Sequence, residues 1–212
     1  ASIRHRNPQN TLFTSGSGLT FTYQNNYGGE IYVSSDSVKV TLKNTTFKNN
    51  YAVYGGAIYV SKGILNISDS TFINNYAYNF GGSIAAESNA NIFISKSRFI
   101  NSRSTADAGG AVYLKSSNFN ANGTEFINCS ATFGGAFTSL SSKISLNNVS
   151  AFNNTARWDG GAVYHMYGDF ASVGGEFKNN SANNGGALFI DTSNNFILSL
   201  DRKSGSAGMP RP

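Results

Sequence analysis

The sequence predicts an all-β protein, a right-handed parallel β-helix of about seven coils with three short strands in each, and three observations carry that prediction. A phenylalanine recurs at Phe47, Phe72, Phe99, Phe126, Phe152 and Phe177, at spacings of 25, 27, 27, 26 and 25 residues. A Gly-Gly pair follows each one, from Gly55-Gly56 to Gly185-Gly186, and Gly28-Gly29 marks a shortened earlier copy. Between these marks, apolar residues alternate with period two in short runs, and helical periodicity is absent. A unit of 25–28 residues with one apolar face can bury that face only by stacking on its neighbours. Crossovers between parallel strands are right-handed, which sets the expected hand.

The elements follow in order within each unit. A first run ends at the phenylalanine, as in Ser70-Thr-Phe-Ile-Asn74. A second run follows Gly-Gly, and its slot Ile58, Ile84, Val112, Phe137, Val163 and Leu188 is apolar throughout, so it points inward. A third run supplies pairs such as Leu65/Ile67 and Ile92/Ile94 to the same interior. Two residues beyond each phenylalanine stands Asn49, Asn74, Asn101, Asn128, Asn154 or Asn179. These six are expected to share the inward face with the phenylalanine at a corner and to hydrogen-bond along the stack as a structural ladder. Gly-Gly is expected to form the next corner through positive φ and close backbone approach. The segment between the two motifs varies in length and reads as a loop.

Composition sets further bounds. Residues 1–19 do not fit the repeat and are expected to be an N-terminal tail or cap, 20–200 the repeat domain and 201–212 a basic C-terminal tail. Pro8, Pro210 and Pro212 all lie outside the repeats, as continuous sheet requires. The net charge of +5 belongs to the ends, because residues 20–200 carry eleven basic and ten acidic side chains. A nucleic-acid binder concentrates charge on one face, so nucleic acid is not an expected partner. No stretch of 18 apolar residues occurs, so no membrane span is expected. The sequence starts at Ala1 without a signal-peptide pattern and reads as a processed product or fragment. The single cysteine, Cys129, excludes an internal disulfide and reads as a small turn residue.

Iterated Gly-Gly-Ala-(Ile/Val/Leu) with Phe-x-x-Asn over residues 20–200 resembles the repeat of the chlamydial polymorphic membrane proteins. That resemblance implies a right-handed parallel β-helix in the passenger of an autotransported adhesin, hence an extracellular or cell-surface address. In its Phe-x-x-Asn form the motif holds at Asn50, Asn75 and Asn180 but not at Ser102, Cys129 and Thr155.

Catalysis finds little support. Glycoside hydrolysis needs two carboxylates about 5–10 Å apart, yet the eleven acids are scattered, with no Asp-Asp or Asp-x-Asp. Glu125 and Glu176 both precede a phenylalanine, with Ala151 in that slot between them. No catalytic residue, metal ligand or cofactor is therefore assigned. His165 occupies an inward slot and reads as a core histidine; Trp158 reads as one of the aromatics stacked beside the glycine corners. The outward slot of the second run holds Tyr32, Tyr59, Tyr113, Tyr164 and Phe189, a candidate contact stripe. Asn44, Asn66, Asn122, Asn148 and Asn153 are candidate N-glycosylation sites; Asn128 and Asn179 also lie in sequons but are expected to face inward. With 28 asparagines and 43 serines and threonines, chance alone gives about six sequons.

The expected function is that of a non-enzymatic extracellular surface or structural protein that self-associates, end to end into a filament, with the tails gripping neighbours. The alternative is a monomeric adhesin module that binds host glycan or protein, and behind it a polysaccharide-active enzyme.

Overall fold

The computed structural model describes residues 11–14 and 24–199; the C-terminal tail and the rest of residues 1–19 lie outside the described residues, while Thr11–Thr14 is a strand paired in parallel with Val40–Lys43. No helix occurs among the described residues, and the chain winds through about six turns of a parallel β-helix. Three parallel sheets run the length of the stack, one of ten strands and two of six.

The second and third runs share the ten-stranded sheet, often as one long strand, as in Ile31–Lys43, Ile58–Ser68, Phe137–Asn147 and Val163–Val173. The phenylalanine run forms one six-stranded sheet, from Thr46–Lys48 to Phe177–Lys178. The segment read as a loop forms the other, with strands such as Tyr51–Tyr54, Tyr76–Phe80 and Ser130–Phe133. Three strands per coil is therefore right in number, with the third sheet in the variable segment. Bulges, as between Ala52 and Tyr54, absorb its length changes.

Left-handed backbone marks every corner. Asn44, Asp69, Lys96, Gly123, Asn148 and Gly174 turn the chain into the phenylalanine run at φ of 45–68°. Asn49, Asn74, Asn101, Asn128, Asn153 and Asn179 turn it out again at 53–59°. Asparagine tolerates this region because its short amide can bond locally. The first glycine of each pair makes the last corner, at 54–70°.

The second glycine has a different job. A Cβ on Gly56 would lie 2.1 Å from the carbonyl oxygen of Gly82, and one on Gly110 would lie 1.9 Å from that of Gly135. From Gly29 to Gly161, each second glycine is thus required by the coil that follows it. The same corner donates forward: Gly55 N–H to Phe80 O (2.9 Å), Gly56 N–H to Gly81 O (3.1 Å) and Ala57 N–H to Ser83 O (2.9 Å).

The core is a continuous apolar column. Phe47, Phe72, Phe99 and Phe126 stack ring on ring at 4.6–4.9 Å. The expected ladder breaks at Phe152. Register pairs Phe126 with Ala151, and Phe152 with Ile127, so Phe152 leaves the column and Ala151 occupies it. Sequence reading followed the conspicuous phenylalanine, but the corner asparagine here is Asn153, one residue earlier than expected. Phe137, tilted against Phe126 at 5.8 Å, carries aromatic packing past the gap. Glu125 is paired with Ser150, so the slot between the two glutamates holds Ser150 rather than Ala151.

The asparagine assignment is corrected by the same geometry. Asn49, Asn74, Asn101, Asn128 and Asn179 are exposed, because the left-handed residue itself turns outward and resets the alternation for the next one. The buried column is one residue on: Asn50, Asn75, Ser102, Cys129, Asn154 and Asn180, all buried but the half-buried Asn180. Of the six asparagines expected inward, only Asn154 is buried, and it stands in this later column.

Candidate contact surface

The buried column ties coils together at the second corner. Asn75 Oδ1 accepts from Asn50 N–H and from Asn50 Nδ2, both at 3.0 Å, while its Nδ2 donates to Phe47 O at 3.0 Å. Asn154 and Asn180 repeat the pattern on Phe126 O and Ala151 O. Cys129 fills the same slot with a thiol directed at Phe99 O. Burial pushes that thiol up to about 12, which keeps it protonated and unreactive. A lighter ladder runs outside, with Asn101 Nδ2 on Asn74 Oδ1 at 3.1 Å and Asn74 Nδ2 on Asn49 Oδ1 at 3.4 Å.

The expected aromatic stripe is mostly not a surface. Tyr32 is exposed, but Tyr59 and Tyr113 are buried, and Tyr164 and Phe189 are half-buried. The reason is a second column that folds against it. Aromatics just before the glycine corners (Tyr54, Phe80, Phe133) pack onto Tyr59, Ala85, Ala108 and Tyr113 as a small outer core. The two columns interdigitate. Phe80 stands over Tyr113 at 4.4 Å where Ala85 and Ala108 leave room. Tyr59 also donates its hydroxyl to Glu87 Oε2 at 3.0 Å. Both columns were visible in the sequence; their lateral contact was not, because it depends on how sharply the glycine corner bends.

What stays open lies at the edges of this patch. Tyr27 and Tyr32, 47% and 49% exposed, meet at 6.1 Å and pack against Tyr54 and Tyr59. Trp158 does not join the stack. Register pairs Phe133 with Asp159, leaving Trp158 exposed beneath the Arg157 guanidinium at 5.3 Å. Where the ten-stranded sheet bends, Asn89, Ser116, Asn118, Ser142, Lys143 and Asp169 line a polar groove of about 240 Å³. Among the described residues no three His, Cys, Asp or Glu side chains converge as metal ligands.

His165 is buried. Its Nδ1 lies 2.7 Å from Ser139 Oγ, and its Nε2 has no hydrogen-bond partner. Burial lowers its pKa, against the Gly168 backbone and the Asp169 charge, which raise it. Of the sequon asparagines, Asn44, Asn122, Asn148, Asn153, Asn128 and Asn179 are exposed and Asn66 is half-buried. The inward placement expected for Asn128 and Asn179 is overturned by the corner geometry described above.

Residues 44–61 match the family model of the Chlamydia polymorphic membrane protein repeat. Residues 44–61 are thus similar to one repeat of the polymorphic membrane protein type. The matched segment spans Phe47, the corner Asn49, the buried Asn50 and Gly55-Gly56, so the polymorphic membrane protein signature maps onto two corners and the strand between them. Comparison with curated proteins and with solved structures gives no match.

Proposed function

We propose that this chain is a non-enzymatic, extracellular surface protein of the polymorphic membrane protein type, a β-helical rod that self-associates end to end. The match of residues 44–61 to that repeat, set in a stack of like coils, supports the surface reading. The observation that carries self-association is the last coil. Phe196 and Leu198 pair in register with the buried Phe170 and Ser172, yet they are 50% and 40% exposed. The interior of the helix is uncovered there among the described residues, and an open apolar edge is a site for pairing. Sedimentation velocity across a wide concentration range tests this: mass growing with concentration supports it, and a monodisperse monomer at the highest concentration removes it.

A second reading, a monomeric adhesin module that binds glycan or protein, draws on the exposed Tyr27–Tyr32 pair. Aromatic faces of this kind stack on sugar rings. Its test is a glycan array with Tyr32→Ala; substitution of the buried Tyr59 or Tyr113 would disturb packing rather than contact.

A further inference from the structure

We propose that the outward face of the phenylalanine sheet is a lateral docking surface for a second, antiparallel copy of this chain. In these short strands the middle residue, such as Phe72, Phe99, Phe126 or Ala151, is buried, so the residues on either side of it point out. Register sets the later of the two in one column: Lys48, Ile73, Ile100, Ile127, Phe152 and Lys178. The isoleucines and Phe152 are half-buried and form an unbroken apolar ridge, with an exposed lysine at each end. Ridges of this kind on a protein surface mark contact sites.

Phe152 shows that the ridge is more than strand propensity. The frame shift in its coil takes the phenylalanine out of the core, leaves Ala151 in the stack and lays the ring beside Ile127. The interior loses a ring, and the ridge acquires its fourth member. The outward column of the neighbouring ten-stranded sheet has no such run: Asn66, Phe93, Asn120 and Ser145 follow one another in register. Apolar side chains in line are a property of this face, not of outward positions in general.

Charge selects the occupant. Beside the ridge runs a second outward column, Thr71, Arg98, Glu125 and Ser150, with the exposed Arg98–Glu125 ion pair at its centre, 2.8 Å apart. A two-fold axis along the strands, midway between Arg98–Ile100 and Glu125–Ile127, sets Ile100 over Ile127 of the second copy and Ile73 over its Phe152. The same axis sets Arg98 over Glu125 of that copy, so the two ion pairs close into a ring of alternating charges. A parallel pairing on this ridge leaves Arg98 and Glu125 without opposite charges across the contact. The lysines fall at the solvated rim. Sheets packed face to face lie about 10 Å apart with side chains interdigitated, an arrangement open to half-buried Ile and Phe. At about 4.8 Å per strand the face is roughly 24 Å long, small against the roughly 800 Å² that each partner buries in a standard interface. The contact is therefore weak between free molecules and gains strength where many rods are held side by side. It is distinct from the last coil, on which end-to-end association depends.

The test uses the full chain in two forms, Ile73→Cys and Phe152→Cys, the native Cys129 being buried. Mixed and treated with a bis-maleimide that spans about 10 Å, they should yield a dimer linked 73 to 152, in large excess over 73–73 and 152–152 products by mass spectrometry. Arg98→Glu should cut that yield several-fold by setting like charges across the axis, and adding Glu125→Arg should restore it, with thermal melts showing each variant folded. A yield no higher than that of Ser145→Cys on the other sheet, or an excess of 73–73 product, overturns the antiparallel face. Mass that still grows with concentration in that case leaves end-to-end association standing. The 73–152 dimer without larger species supports this face and removes the end-to-end reading.

Discussion

The residue that best separates structure from appearance is the asparagine pair after each phenylalanine. Asn74 and Asn75 are neighbours with opposite roles: one turns the corner at φ 53° in solvent, and the other bridges Asn50, Phe47 and Ser83 inside. Asn75→Ala should cost about 2–3 kcal/mol, because it strands buried partners on Asn50 and Phe47. Asn74→Gly should stay within about 0.5 kcal/mol, since glycine accepts the same φ. Urea denaturation of both variants measures the contrast, and equal losses would refute the division of labour. His165 makes a pH prediction. Its folded pKa lies below the ordinary histidine value, so the neutral form is favoured by folding. The stability it contributes is present above the unfolded pKa of about 6.5 and is lost as pH falls through the folded value. Glu30, pushed up to about 7 by burial, works the other way, losing its contribution as pH rises. The measurement is therefore a difference: His165→Gln should flatten the acid limb of the denaturation midpoint relative to the parent, and parallel acid limbs would overturn it.

At the scale of the element, the phenylalanine stack and the glycine corner hold a coil in place by different means. Phe72 is wholly buried between Phe47 and Phe99, and Phe72→Ala should cost about 3–5 kcal/mol through the cavity it leaves. Gly110→Ala should be at least as severe, with a Cβ 1.9 Å from a backbone oxygen, whereas Gly123→Ala meets no atom within 4 Å. The latter carries only the left-handed backbone cost of about 1–2 kcal/mol. Calorimetry on the two alanine variants orders them, and a Gly123→Ala midpoint at or below that of Gly110→Ala would contradict the packing. Much of this was legible in the sequence. Period, inward slots and glycine corners follow from spacing and alternation alone. What spacing could not give was the frame of the fifth repeat, where Phe152 sits one residue off the column. Corrected, the frame places Asn154 rather than Thr155 in the Phe-x-x-Asn column, beside Asn50, Asn75 and Asn180. The outer aromatic core was equally hidden, because burial of Tyr59 and Tyr113 arises between segments about one strand apart rather than along one.

For the whole molecule, the chain is close to one-dimensional: each coil touches only the coils above and below it, and stability grows by nearest-neighbour terms. Removal of residues 76–102, one full coil in register, should leave a folded, shorter rod. Tyr51 would then face Arg103, which pairs with Tyr76 now, and Phe72, still stacked on Phe47, would face Phe126 in place of the removed Phe99. A far-ultraviolet spectrum that stays β-rich with a cooperative melt confirms it; loss of the melt would show that the third coil holds something its neighbours do not. The uniform direction of the strands carries a mechanical consequence. The inter-coil bonds lie along the axis in series, so tension applied to the chain ends peels the rod from its tips, one turn at a time. Each event releases one repeat, about 26 residues at roughly 3.4 Å each, or near 90 Å of slack. A tether built this way yields in even steps under load instead of snapping, and regains its length as the turns rewind.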